Sequence, residues 1–294
     1  MSSPPIHGTP AQRAEYVREQ VPEHDFGVVN KPLTTWERIY GNSAVRKTFI
    51  LLLLAAAWQA YAVYLDNALI LPTFSDTLKT FVQRMWSGEL LKKSWASILV
   101  LLYGYGIGLA LALVFTVLAM TSRLGTDLLE TLTAMLNPLP AIALLPLALI
   151  WLGLGNPSII FVLVHAVMWP IALNTHSGFL GVSPTMRMVG RNYGLSGVGY
   201  VRKILIPAAF PNILSGLKIG WAFAWRTLIA AELVFGTTSG SGGLGWFIYE
   251  NKNVLDIPAV FAGLFTVIII GLLVENLIFR SVEHRTILKW GMHS

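Results

Sequence analysis

Four ionisable residues stand inside long apolar runs: Lys218, Arg226, Glu232 and Glu275. A charge at the centre of a bilayer costs at least about 2.5–3.5 kcal/mol on insertion scales, so each needs a partner or water. Their chemistry is electrostatic: they hold an ion pair, or they face a pathway and draw a counter-charge. If Pro207 lies near a membrane surface, a rise of about 1.5 Å per residue puts Lys218 roughly 16 Å deep and Arg226 roughly 28 Å deep. Glu275 precedes Arg280 by five residues, which predicts a Lys218–Glu275 pair. Arg226 and Glu232 lie about 240° apart around a helix of 100° per residue and do not share a face. Arg226 is left either to attract an anion, walled by Trp221 and Trp225, or to pair with a carboxylate or carbonyls. Glu232 is counted with the pathway residues, although holding a nearby turn through its amides is the expectation for it. His165, alone on an apolar run, is read as a core or pore histidine.

Other chemistries lack their parts. The chain has no cysteine, so no disulfide, thiolate metal site or thiol nucleophile can form. There is no H-E-x-x-H, and no metal site is expected. No Gly-Lys dipeptide occurs, so a Walker A phosphate loop is excluded. The segment Gly240–Gly245 spells G-x-G-x-x-G, but it follows an apolar run rather than a strand. It reads as a glycine turn, with Gly240, Ser241, Gly242 and Gly243 as its flexible part. Ser97, Ser158 and His165 are the parts an intramembrane protease would use, and nothing marks them as a set.

The elements that position these residues are membrane spans. The 294-residue chain is 54% hydrophobic and 12% charged, against about 25% charged in soluble domains. Its net charge of +6 fits Lys and Arg beside anionic headgroups better than nucleic acid. Residues 1–45 are polar and proline-bearing and form an N-terminal tail, with a short helix expected around Ala11–Gln20. No apolar signal core precedes the first run, which is expected both to target and to span. Six apolar runs follow, Phe49–Leu65, Trp95–Met120, Leu132–Leu154, Ser158–Leu173, Ala208–Phe235 and Ala259–Phe279, each near the length a span requires. The expected fold is an all-α polytopic membrane protein with six transmembrane helices, residues 46–294 forming the membrane domain. With both termini inside, fourteen of the 21 Lys and Arg fall on inner segments, which favours N-in, C-in. Pro72–Lys93 is then external, and Leu78, Phe81, Val82, Met85 and Trp86 predict an amphipathic helix on the outer surface. Pro138 and Pro140 beside Asn137 free backbone carbonyls, tolerated only in protein or a wet cavity, so this third run should line the pathway. Asn174 and His176 are expected to end the fourth span and gate its inner mouth. Gly104 and Gly108, four apart, offer a small face for close helix packing.

Between the fourth and fifth runs lies a basic interval, Ser183 to Pro211, with Arg187, Arg191, Arg202 and Lys203 and no acidic residue. Ser183 before Pro184 predicts a capped helix start, a helix over 184–193, and a left-handed cap at Gly194. A second short helix is expected over 199–205, ahead of Pro207. A mere connection between spans would be shorter.

Gly194, Ile204, Ile206 and Pro207 resemble the EAA signature of bacterial ABC importer permeases: Glu-Ala-Ala, three residues, Gly, nine residues, Ile, one residue, Leu, Pro. The resemblance extends over roughly residues 46–292. Leu71–Pro72 with Phe74–Ser75, Pro138–Ala141, Trp151–Gly155, Leu173–Thr175, Ala230–Glu232 and Trp290–Met292 are similar to the nitrate/sulfonate/taurine branch. It implies a type I importer permease fold in a bacterial plasma membrane, no cofactor in this chain, and a translocated small anion. Another small solute, such as a thiamine-precursor pyrimidine or an aromatic carboxylate, is the alternative within this class; outside it stands an ion-gradient-driven transporter or channel. The implied partners are a second permease copy, two ATPase subunits that bind ATP and Mg, an external binding protein and lipid. Residues 183–207 would couple to the ATPase through Met188, Val189, Gly190, Arg191, Gly194, Leu195, Ile204, Ile206 and Pro207. The Glu-Ala-Ala triplet aligns with Met188, Val189 and Gly190, so its acidic residue is missing while its third position stays small.

Overall fold

The computed structural model describes residues 40–235 and 242–289, and every regular element among them is helical. The expected helix around Ala11–Gln20, Gly240, Ser241 and the closing Trp290–Met292 lie outside the described residues. The chain divides into two units, residues 1–54 and 55–294, the boundary falling within the first described helix, α1 (Ser43–Leu65). In the first unit, Phe49 to Leu54 are all exposed apolar residues, a surface suited to lipid.

In the second unit, Trp58 on α1 sits in an aromatic cluster with Phe74, Phe261 and Phe265, at ring-centroid distances of 5.7, 5.2 and 5.6 Å. Its indole donates to the Pro72 carbonyl at 3.0 Å. Helix α2 (Phe74–Trp86) begins on Thr73, whose hydroxyl accepts the Asp76 amide, the usual satisfaction of a free first-turn donor. Phe81 and Met85 pack on the core, while Leu78, Val82 and Trp86 point outward, so the predicted amphipathic stripe is split between two faces. Arg84 at its end pairs with Glu89 at 2.6 Å and Asp256 at 3.1 Å. The Glu89 hydrogen bond raises the guanidinium pKa.

Helix α3 (Glu89–Thr121) is 33 residues long, about 50 Å at 1.5 Å per residue, so it outreaches a hydrocarbon core of about 30 Å. A tight corner at Ser122 leads to α4 (Arg123–Leu136). The third run is two arms rather than one rod: α4 and Ala141–Leu152, which ends in α5 (Leu145–Leu152), meet at 89°. The elbow is Asn137–Pro140, where prolines remove amide donors and disfavour helix in the residue before them. Helix α6 (Asn156–Leu180) follows. It does not stop at Leu173 as expected: Asn174 donates to the Pro170 carbonyl at 2.7 Å, and Thr175 and His176 are buried against neighbours. Polar side chains that can be satisfied along the helix do not end it.

After α7 (Pro184–Asn192), the short α8 (Gly197–Tyr200) passes through a wide turn at Val201–Leu205 into α9 (Ile206–Phe235). The expected separate helix over 199–205 is therefore the start of the fifth span. Pro207 cannot donate to a carbonyl one turn back, and the chain absorbs this by widening a turn instead of breaking. Helix α10 (Leu244–Asn253) and α11 (Ile257–Leu273) follow, and the last helix continues through wide turns to Leu288. By length and composition, five helices among the described residues can cross a membrane, or six with the bent pair counted as one span.

Helix α6 is the centre. Its span window is 61% buried, against 28% or less for the others. Glycines make its neighbours' approach close: a Cβ at Gly104 would stand 2.6 Å from Leu163 Cβ, and one at Gly108 2.8 Å from Val167 Cβ. Gly216 and Gly220 on α9 meet Asn174 and Ile171 in the same way. Small residues at such crossings are how helices pack where lipid gives no hydrophobic drive. Replacing Gly108 with Leu should force α3 off α6 and destabilise the fold by about 1–3 kcal/mol, the usual cost of overpacking. Thermal unfolding of the detergent-purified protein checks this, with exposed Gly106→Leu expected to have little effect.

Candidate functional site: an elbow cleft, a buried carboxylate and a basic loop

Three constellations gather the predicted residues. The first is a cleft of about 420 Å³ at the elbow of the bent pair. Asn137, Pro138, Pro140, His165 and Arg226 line it, joined by Trp169, Phe223 and Thr227, which the sequence reading missed. Trp169 lies one turn beyond His165 on α6, so its spacing was a readable signal. Arg226 donates from Nε to the Ala222 carbonyl at 3.1 Å, and its guanidinium carbon lies 5.1 Å from the Phe223 ring centroid. No carboxylate among the described residues lies within ion-pair reach of it. The ring nitrogens of His165 and Trp169 are buried and have no hydrogen-bond partner among the described residues.

Trp221 and Trp225 do not wall this cleft. They stack at 6.5 Å, Trp225 donates to the Val267 carbonyl at 3.3 Å, and Trp221 meets Tyr105 and Phe279. They glue α9 to α11 and α3. Asn174 also lies elsewhere, packed against Gly216 of α9. Lys218 reaches Glu283 at 2.7 Å and the expected Glu275 only at 3.9 Å. The last helix runs on past Arg280 and so carries Glu283 within reach, which a span ending at Phe279 would not.

The second constellation is Glu232. It is 4% exposed and Ser97 is fully buried; the Ser97 hydroxyl lies 2.8 Å from each carboxylate oxygen. The Gly245 amide donates to Glu232 at 2.8 Å, and the Leu244 amide to Ser97 Oγ at 2.8 Å. These are first-turn amides of α10, which have no intrahelical acceptor and favour a negative neighbour. Any side chain at Gly243 would overlap this group, since its Cβ would lie 2.1 Å from Glu232 Oε1. Gly242 sits at φ +57°, a conformation glycine adopts freely. Gly243 and Gly245 thus lie against a carboxylate of their own chain, and no strand is present among the described residues. Ser97 and Ser158 are both engaged in structural hydrogen bonds, Ser158 with the Ala148 and Gly153 carbonyls.

The third is the basic loop. Ser183 Oγ accepts the Met186 amide at 3.3 Å. The end of α7 is closed by Gly194 amide to Arg191 carbonyl at 2.8 Å and Leu195 amide to Gly190 carbonyl at 3.0 Å, with Gly194 at φ +69°. That pair of bonds is the Schellman closure. Buried Gly190 faces Tyr200 and Ile204, where an added Cβ would come within 2.9 and 2.8 Å. Arg187 is turned inward, its guanidinium donating to the Phe179 and Val182 carbonyls at 2.6 and 3.0 Å. It caps the end of α6 and fixes the loop to the central helix. Met186, Met188, Val189, Tyr193 and Val198 are exposed, beside exposed Arg191, Arg202 and Lys203. Ile206 is exposed, while Leu195, Ile204 and Pro207 are half-buried.

Residues 90–286 match the family described as binding-protein-dependent transport system inner membrane component. The chain belongs to this family. It is 30% identical to a putative ABC transporter permease protein of Methanocaldococcus jannaschii over 81% of this chain and 90% of that one. It is also 30% identical to a putative aliphatic sulfonates transport permease protein of Bacillus subtilis, over 80% of this chain and 83% of that one. A nitrate import permease protein of Synechocystis is 36% identical over 55% of this chain and 58% of that one. The chain is thus a multi-pass membrane permease component of an ABC transport system. Among its described residues no group of three or more His, Cys, Asp or Glu is arranged to hold a metal.

Removing the Glu232 carboxylate should free the start of α10. In Glu232→Ala, hydrogen exchange at the Leu244 and Gly245 amides should accelerate by about tenfold or more, the loss of a charge-assisted bond. Unchanged protection there would mean that Ser97 alone holds the turn.

Proposed function

We propose that this permease imports a small anion delivered by an external binding protein, powered by two ATPase subunits that dock on residues 183–207 of two permease copies. The observation that carries the reading is the basic loop. It is rigid, closed at both ends by caps, tied to the central helix through Arg187, and yet presents an apolar and cationic face with no described partner. The chain has no Gly-Lys and hence no Walker A loop of its own, so ATP and Mg belong to the partner. Nucleotide-driven movement reaches the spans because the loop is packed on α6 and runs without a break into α9. A loop can drive the spans only where the two conformations bind the ATPase with different affinity.

Relatives named for aliphatic sulfonates and nitrate support an anion, and so does Arg226, which faces a cleft without a carboxylate. Charge asymmetry supports N-in, C-in, which places the loop in the cytoplasm and the glycine turn outside. There Gly240 to Gly243 would lie near the mouth against which a binding protein presses. The chain itself is read as carrying out no reaction, and the tail, residues 1–45, as cytoplasmic.

In proteoliposomes holding the permease, its ATPase and its binding protein, uptake of a sulfonate or nitrate should require internal ATP and persist when an uncoupler collapses the proton gradient. Uptake that stops with the gradient while ATP is held constant would instead make this a gradient-driven transporter. Because the chain lacks cysteine, Met188→Cys provides a single label site. It should react with a membrane-impermeant maleimide only from the cytoplasmic side, and external labelling would invert the topology.

A further inference from the structure

The elbow cleft holds more donors than acceptors. Arg226 is exposed; its Nε donates to a backbone carbonyl, its guanidinium lies against the Phe223 ring, and both terminal nitrogens lack a protein acceptor among the described residues. Across the cleft, His165 is 9% exposed and Trp169 2% exposed. None of their three ring nitrogens has a hydrogen-bond partner among the described residues. The remaining wall is the elbow, where Ala141 and Ile142 open the second arm. A buried donor without an acceptor is costly, and here the Trp169 indole N–H and the imidazole N–H of His165 belong to residues that line the same cleft as Arg226. The two rings pack edge to face at 6.1 Å, and Trp169 meets Phe115 at 5.7 Å, but these contacts provide no acceptor for the ring nitrogens. The neighbouring tryptophans differ: Trp221 and Trp225 stack on each other, and the Trp225 indole has a carbonyl acceptor in Val267.

We infer that the cleft is an oxyanion-binding site within the permease itself, which holds the charged head of the solute during its passage. Arg226 supplies the charge, and the Trp169 indole and the His165 imidazole supply further donors. This rests on the anion reading above and adds where and how the anion is recognised. One cation matches one negative charge, so a monovalent oxyanion is favoured over sulfate or phosphate. Donors on two helices, Arg226 on α9 and His165 and Trp169 on α6, match several oxygens rather than a halide. The cleft's volume of about 420 Å³, with Phe223, Leu139 and Ile142 in its walls, leaves room for an apolar body behind the head. Selection would then occur twice, in the binding protein and again here.

The test uses the complete importer in proteoliposomes, with nitrate and methanesulfonate as probes and chloride and sulfate as competitors. Arg226→Gln should lower uptake of both probes by about tenfold or more, the effect of losing hydrogen bonds to a charged group. Arg226→Lys should retain a substantial part of it. Trp169→Phe, which keeps the ring and removes the donor, should leave uptake measurable and raise inhibition by chloride several-fold. Co-purification with the ATPase controls for assembly, and if Arg226→Gln fails it, the lysine and phenylalanine variants decide. Wild-type discrimination against chloride in Trp169→Phe, together with undiminished uptake in an assembled Arg226 variant, would overturn the site and leave anion import standing. A wild-type importer that carries only a neutral or cationic solute would remove both.

Discussion

The structure depends on the close approach of α3 and α9 to α6. In lipid there is little hydrophobic gain in bringing helices together, so contact has to come from short distances and good fit. Glycine provides this on both sides of α6, with Gly104 and Gly108 from α3 and Gly216 and Gly220 from α9. The result is a central helix largely withdrawn from lipid. Polar residues that would be costly facing hydrocarbon then become tolerable. His165, Thr175 and His176 all lie on α6 and are buried in the protein.

Where a charge is buried, the chain meets it with fixed donors. Glu232 draws on Ser97 and on the start of α10, and this joins α3, α9 and the glycine turn at one point. Near the middle of α9, Lys218 joins the last helix through Glu283. Arg226, between these two residues on α9, is the contrast: no carboxylate among the described residues is within ion-pair reach of it, and it lines the cleft.

The loop after α6 applies the same logic outside the membrane. Arg187 closes the end of α6 and the Schellman closure ends α7, so the segment is set by local hydrogen bonds rather than by a partner. Glycine at position 190, where the related signature has alanine, lets Tyr200 and Ile204 pack directly on the helix. The acidic position of that signature is held by Met188, exposed here, and the loop is therefore stabilised without a carboxylate of its own.

Much of this was determined by the sequence alone. Apolar run lengths set the spans, Ser183 and Gly194 set the limits of α7, and the 104/108 glycine pair marked a packing face, because these are local effects of periodicity, capping and side-chain size. The extents of α6 and of the last helix were not legible, since Asn174 continues a helix only when its amide finds a carbonyl and its other face finds a neighbour. Nor was the difference between Arg226 and Trp225, adjacent in sequence, one at the cleft and the other locked against α11. Which intramembrane charge is paired and which is left open is a matter of distances between helices far apart in the chain. Only the tertiary structure could bring Ser97 to Glu232, and Glu283 to Lys218, and leave Arg226 opposite His165 and Trp169.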